Sequence, residues 1–294
     1  MNKVGFIGVG IMGKSMVRNL MKAGFELHIY ARTKSKVEDV ISEGAQSHES
    51  IKDCVQDCDA VITIVGFPQD VEEVYFDEGN ILDSAKEGAY LIDMTTTSPQ
   101  IAEKIYAEGT KRGFHVMDAP VTGGDTGAKA GTLSILVGGE KEDYEACMPL
   151  FEAMGTNINY QGKAGCGQHC KLANQIMIAG TLSGVCEALT YAKEQGLDPE
   201  VFMKSVATGA GGSKQLDTFG PKILKEDYAP GFFMKHFIKD MKLALIEANR
   251  KGLSLDVLSM VLANYEELEQ EGYGDLGTQA LMKFYDEEHR DTEE

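Results

Sequence analysis

Two rhythms of apolar residues divide this chain. In the first half, short apolar runs at residues 3–7, 26–30, 60–65, 90–93, 115–118 and 132–137 read as strands. Between them apolar residues recur at helical spacing, as Met16, Val17, Leu20 and Met21 do within residues 14–23. Gly24 ends that helix, Pro99 opens another, and residues 157–160 make a further short strand. Residues 168–195 then break the alternation with one long, mostly apolar run. It opens after Gly162, Gly165 and Gly167, carries the small residues Ala173, Ala179, Gly180 and Gly184, and stops at Gly196. A helix over it is a rod of roughly 40 Å at 1.5 Å per residue. Asp198-Pro199 reads as the N-cap and first position of the next helix. From there only helices are expected, at residues 199–208, 216–225, 238–251 and 255–271, with a last one starting near Leu276 and a charged tail after Phe284 that is expected to fray. The pattern predicts an α/β domain over residues 1–162 and an all-α domain over residues 163–294 that begins with a long interdomain helix.

Candidate chemistry falls where strands end. The first strand runs into Gly8-Val9-Gly10-Ile11-Met12-Gly13, and a helix and a second strand follow within about 30 residues, the context that gives this dinucleotide fingerprint its meaning. Gly8 permits a tight turn, Gly10 lets a pyrophosphate approach the backbone, Gly13 lets helix and strand pack closely, and the helix N-terminus with Ile11 and Met12 faces the phosphates. Gly8, Gly13, Lys14 and Ser15 also satisfy the P-loop pattern of nucleotide hydrolases, but Gly10 has a specific task only in the dinucleotide reading. The second strand ends in Tyr30-Ala31-Arg32-Thr33-Lys34-Ser35-Lys36, with no carboxylate before Glu38. Arg32, Thr33 and Lys36 can grip a ribose 2′-phosphate, which favours NADP over NAD. Pro68, Thr95 and Thr96 lie beyond the third and fourth strands, where ligands bind in open α/β sheets; turn-making and helix capping are their structural alternatives. Thr122, Gly123 and Gly124 offer a hydroxyl and exposed backbone N–H groups, a nest for a carboxylate. Lys171 sits in the first turns of the long helix with Asn174 and Gln175 on its face. A snorkelling lysine is the bland alternative. A buried one has a lowered pKa, suiting it to give and take a proton.

Charge narrows the partners. Lys plus Arg minus Asp plus Glu is 28 − 46 = −18, which argues against nucleic acid. Six cysteines lack the density of a disulfide scaffold, and Cys166, His169 and Cys170 lack a fourth ligand for zinc, so no metal is expected. Lys171 and Glu187 interrupt the most apolar stretch, so no membrane span is expected, and the N-terminus enters a strand at once without a signal peptide, which predicts a cytoplasmic protein.

Four separated segments resemble the β-hydroxyacid dehydrogenases, a family that includes 3-hydroxyisobutyrate dehydrogenase, tartronate semialdehyde reductase and glyoxylate/succinic semialdehyde reductase. They are residues 8–13, Asp118-Ala119-Pro120-Val121-Thr122-Gly123-Gly124, residues 165–175 and Lys239-Asp240. The resemblance implies a Rossmann-type domain, a long interdomain helix and an all-α domain that builds a homo-oligomer, a dimer or tetramer. It implies Lys171 as catalytic acid/base, the substrate carboxylate at Thr122, Gly123 and Gly124, and cofactor contacts at Thr96 and Lys239. The family usually has serine where Thr122 stands, and many members have asparagine where Gln175 stands, so either Asn174 or Gln175 orients the substrate. The expected activity is NADPH-dependent reduction of a short carboxylate-bearing semialdehyde or glyoxylate. An NAD-linked 3-hydroxyisobutyrate dehydrogenase is the runner-up. A 6-phosphogluconate dehydrogenase, an imine reductase and a non-catalytic binding module fit less well.

Overall fold

The structure, a computed structural model, describes residues 1–285. Of the tail expected to fray after Phe284, all but Tyr285 lies outside the described residues. The chain divides into two compact units, Met1–Lys171 and Leu172–Glu294.

In the first unit the apolar runs pair into one sheet because each is buried on both faces. Its strands are β1 (Lys3–Ile7), β2 (Glu26–Tyr30), β3 (Gln46–Ser47), β4 (Ala60–Thr63), β5 (Tyr90–Asp93), β6 (His115–Asp118), β7 (Val121–Thr122), β8 (Leu133–Gly139) and β9 (Gly155–Gly162). Their order is β3-β2-β1-β4-β5-β6-β8-β7, with β9 beside β8. The strands from β3 to β6 are parallel; β8 runs antiparallel to β6 and β7, and β9 parallel to β8. Side chains alternate between two cores. Phe6, Ile29, Ile62 and Ile92 enter one, while Ile7, Val61, Leu91 and Val116 enter the other. The connections carry α1 (Ile11–Lys22), α2 (Glu38–Ser42), α3 (Ile51–Val55), α4 (Pro68–Phe76), α5 (Ile81–Ser84), α6 (Pro99–Lys111), α7 (Gly124–Ala130), α8 (Lys141–Ala146) and α9 (Met148–Met154). The apolar pattern misses β3 and β7, since two residues leave no period to read.

Helix α10 (Cys166–Glu194) starts two residues before the expected run, begins in the first unit and continues unbroken into the second. Among the described residues it is the one helix long and apolar enough, by length and composition, to cross a membrane, the stretch that comes closest to a span in the sequence. Its Leu172, Ala179, Leu182, Cys186 and Leu189 are buried in the core of the second unit with Phe237, Met241, Val261 and Tyr265. That core is completed by α11 (Pro199–Val206), α12 (Lys214–Ile223), α13 (Met234–Arg250) and α14 (Asp256–Gln270). The helix expected from Leu276 is instead a 3₁₀ helix, Thr278–Tyr285. Its start is tied outward, because the Gly277 and Thr278 N–H groups donate to the carbonyls of Tyr228 and Phe232.

Candidate active site

The glycine loop after β1 is shaped by what its glycines exclude. Gly8 has φ +97°, and a Cβ there would stand 2.1 Å from the Ile64 carbonyl oxygen. A Cβ on Gly13 would stand 2.1 Å from the Gly8 carbonyl oxygen, so α1 packs on its own loop only without a side chain. Around Gly10 a Cβ would meet nothing within 4 Å. One face of the loop is therefore open to a close ligand while the other two glycines are locked in place. Helix α1 has no acidic residue in its first turn, so the N–H groups of Ile11 and Met12 face no competing charge there. These features fit a dinucleotide pyrophosphate. The P-loop alternative fares worse, because Lys14 Nζ is 2.9 Å from Asp39 Oδ1 and is taken up by that ion pair.

At the end of β2, Arg32, Thr33 and Lys36 are exposed. The Arg32 guanidinium lies 3.0 Å from Asp70 Oδ1, and Asp70 Oδ2 accepts from the Phe67 N–H at 2.9 Å. One carboxylate thus caps α4, whose first residue is Pro68, and steadies the arginine.

The ends of β5 and β6 are bound to the start of α10. Asp93 is fully buried; its Oδ1 accepts from the Thr63 hydroxyl at 2.8 Å and the Thr95 N–H at 3.1 Å. Burial raises its pKa to about 6. Thr95 is buried as well, and its hydroxyl accepts from the Val65 N–H at 3.0 Å. Its side chain is therefore turned into the fold, whereas Thr96, the next residue, is half-buried. Gln168, 0% exposed, spans the residues on either side of Thr96: its Nε2 donates to the Thr95 carbonyl at 2.7 Å and its Oε1 accepts from the Thr97 N–H at 3.0 Å. Asp118, at the end of β6, accepts from the N–H groups of Gly165 at 2.7 Å and Gln168 at 2.8 Å, capping α10. Burial still pushes its pKa up, against the pull of those two donors. A Cβ on Gly167 would stand 2.7 Å from Asp118 Oδ2, so the carboxylate requires glycine at that step. Lys171 follows three residues after Gln168 and is 7% exposed. At the end of β7, Thr122 is half-buried, and the Gly123 and Gly124 that follow have φ of +127° and +64°, backbone that non-glycine residues resist.

In the second unit the Asn174 Nδ2 donates to Gln175 Oε1 at 2.8 Å, and Gln175 Nε2 donates to Asp240 Oδ2 at 2.7 Å. Lys239 Nζ is 3.0 Å from Asp240 Oδ1, an ion pair in which both side chains are largely buried. Sequence reasoning missed the bracing roles of Gln168, Asp118, Asp70 and Asp240. Asp118 and Asp240 stood inside quoted motifs, but nothing in spacing says that a carboxylate caps a helix 47 residues later.

Two family models cover the chain. The NAD binding domain of 6-phosphogluconate dehydrogenase matches residues 3–162, and the NAD-binding domain of NADP-dependent 3-hydroxyisobutyrate dehydrogenase matches residues 165–285. The chain is 49% identical to an uncharacterized oxidoreductase of Bacillus subtilis, YkwC, over 96% of this chain and 98% of that one. It is 37% identical to the 2-hydroxy-3-oxopropionate reductase of Escherichia coli, over 86% of each. Its structure superposes on Mycobacterium tuberculosis 3-hydroxyisobutyrate dehydrogenase, solved with L-serine, with a TM-score of 0.88 and 27% identity, covering 96% of this chain and 98% of that one.

Proposed function

The chain belongs to the β-hydroxyacid dehydrogenase family of NAD(P)-dependent oxidoreductases, and on that premise we propose that it reduces a short carboxylate-bearing semialdehyde, or glyoxylate, with NADPH. The observation that carries this reading is Lys171, 7% exposed on a helix whose first turn is braced to the strand ends that flank Thr96. A nicotinamide cofactor held by these residues would supply hydride for the carbonyl carbon. Lys171 gives a proton to the carbonyl oxygen, and takes one from the alcohol in reverse. Thr122, Gly123 and Gly124 hold the substrate carboxylate through a hydroxyl and backbone N–H groups. Gly8, Gly10, Ile11, Met12 and Gly13 carry the pyrophosphate. Pro68, Thr96 and Lys239 add cofactor contacts, and Thr95 acts by holding the loop in shape. Arg32, Thr33 and Lys36 favour the 2′-phosphate. The protein works as a homo-oligomer in this reading, as the family resemblance implies.

The test is an initial-rate panel of glyoxylate and of succinic, tartronate and methylmalonate semialdehydes, each with NADPH and with NADH. Turnover of one or more with NADPH preferred is the expected result. No turnover of any of them overturns the reading, and a preference for NADH with methylmalonate semialdehyde would make the enzyme a 3-hydroxyisobutyrate dehydrogenase. Arg32→Ala should weaken NADPH binding and spare NADH, by roughly 1.5–3 kcal/mol for a lost charge-assisted hydrogen bond. Calorimetric titration with both nucleotides checks it; an equal loss for both assigns Arg32 to the adenine or to structure.

A further inference from the structure

The carboxyl ends of β4 and β5 stand side by side in the parallel sheet, where open α/β folds receive their ligands. One buried carboxylate ties both ends together. Asp93 Oδ1 accepts from the Thr63 hydroxyl at 2.8 Å and from the Thr95 N–H at 3.1 Å. Thr63 has then spent its only hydrogen, so the Tyr75 hydroxyl, 3.2 Å away on α4, donates to Thr63 Oγ1. Thr95 in turn accepts from the Val65 N–H at 3.0 Å, and the neighbouring Ile64 presents the carbonyl that Gly8 approaches only without a side chain. Through these bonds Asp93 reaches α4, the loop before α4, the loop after β5 and the back of the glycine loop. A charge in this place is costly. Asp93 is 2% exposed, and its Oδ2 has no hydrogen-bond partner among the described residues. The titratable groups that face it bring no positive charge. Tyr75, from α4, is fully buried and held protonated by that burial, and Asp118, its register partner on β6, adds a like charge. A neutral asparagine could accept the same two hydrogen bonds without burying a charge.

Resting on the function proposed above, we propose that Asp93 is a positioning residue for the dinucleotide: through Thr63 and Thr95, its ionised carboxylate holds the loops after β4 and β5 in the shape that receives the cofactor. The charge makes both accepted hydrogen bonds stronger than an amide oxygen would make them. A proton on Asp93 loosens this brace without breaking it, because the carbonyl oxygen of the neutral acid still accepts. Burial lifts the group to about 6, so the loosening falls in the weakly acid range. Cofactor affinity is therefore highest with Asp93 ionised and declines as pH falls through about 6. The same charge that costs the fold stability tightens the site.

The experiment compares wild type, Asp93→Asn and Asp93→Ala, reading dissociation constants for the acid-stable oxidised cofactors NADP+ and NAD+ by calorimetry at about pH 5.5 and pH 8, with melting temperatures alongside. Wild type should bind both cofactors about fivefold more tightly at the higher pH, the excess of a charge-assisted over a neutral hydrogen bond. Asp93→Asn should show no such step and should match wild type at the lower pH. Asp93→Ala, which removes the acceptor, should bind more weakly than either at both pH values. An equal pH step in wild type and Asp93→Asn would overturn the assignment. So would a step seen with NADP+ and absent with NAD+, which belongs to the titration of the 2′-phosphate. Unchanged affinity in Asp93→Ala with a lowered melting temperature would leave Asp93 a purely structural role. If Asp93→Ala does not fold, the comparison of wild type with Asp93→Asn decides alone. A wild type that binds neither cofactor defeats the functional reading and this one with it; a wild type that binds both and is indistinguishable from Asp93→Asn defeats this one alone.

Discussion

At the scale of single residues, the claim with the most consequence concerns Lys171. A lysine 7% exposed in the first turns of an apolar helix is either a structural stem or a proton carrier. Lys171→Ala separates them: as the proton carrier its loss lowers kcat by roughly 10²–10⁴. NADPH affinity and melting temperature should hardly move. A normal kcat in folded Lys171→Ala would leave the lysine a structural role. Asp93 makes a prediction of a different kind. Burial lifts it to about 6, above the roughly 3.9 of an unfolded aspartate. The folded chain then binds its proton more tightly than the unfolded chain does, so this group's contribution falls as pH rises from about 4 through about 6. Asp93→Asn removes that slope. The variant should gain on wild type across this window, by up to about 3 kcal/mol for a two-unit shift. Parallel chemical denaturation of both proteins at pH 4 and pH 7 checks it, and a pH-independent difference would contradict it.

At the scale of elements, the braced junction of β5, β6 and α10 is where the sequence said least. Gly8 and Gly13 were legible in the sequence, because a Cβ at either would stand 2.1 Å from a backbone carbonyl oxygen. Lys171, Asn174 and Gln175 announced a shared face through their spacing. Gln168 announced nothing, since an amide serves equally well on a surface, and its partners Thr95 and Thr97 lie 73 and 71 residues away. The structure makes it the pin between the Thr96 loop and the helix of Lys171. Gln168→Ala leaves the Thr95 carbonyl and Thr97 N–H buried without this partner, at a cost of about 1–3 kcal/mol each. It should raise the KM for NADPH as well as lower stability, whereas Gln168→Glu, which retains the acceptor for Thr97, should recover part of the KM. A loss of stability with KM unchanged would mean that the loop holds its shape without the pin.

At the scale of the whole chain, the order of elements was legible and their edges less so. Continuous burial of β1, β4 and β5 writes unbroken apolar runs, and the change from strand–helix alternation to helices alone marks the two kinds of unit. The two-residue strands β3 and β7 and the 3₁₀ winding of Thr278–Tyr285 were not, because backbone donors and acceptors set them, not side-chain period. The −18 net charge argued against nucleic acid and said little else of partners.

The cap on α10 also bears on how the chain reaches its native state. The N-terminal turn of this helix is completed by Asp118, 47 residues upstream, so it waits on the closure of a long loop and on β6 taking its place beside β5. The turns around Leu182 and Leu189 pack within the helical unit and need no such closure. In refolding followed by pulsed hydrogen exchange, the amides of Gln168 and Lys171 should gain protection after those of Leu182 and Leu189. Simultaneous protection would mean that the helix nucleates as one piece. In the expected order, Lys171 is placed among the last events of folding, and chains stopped short of that step would hold a formed helix bundle and no activity.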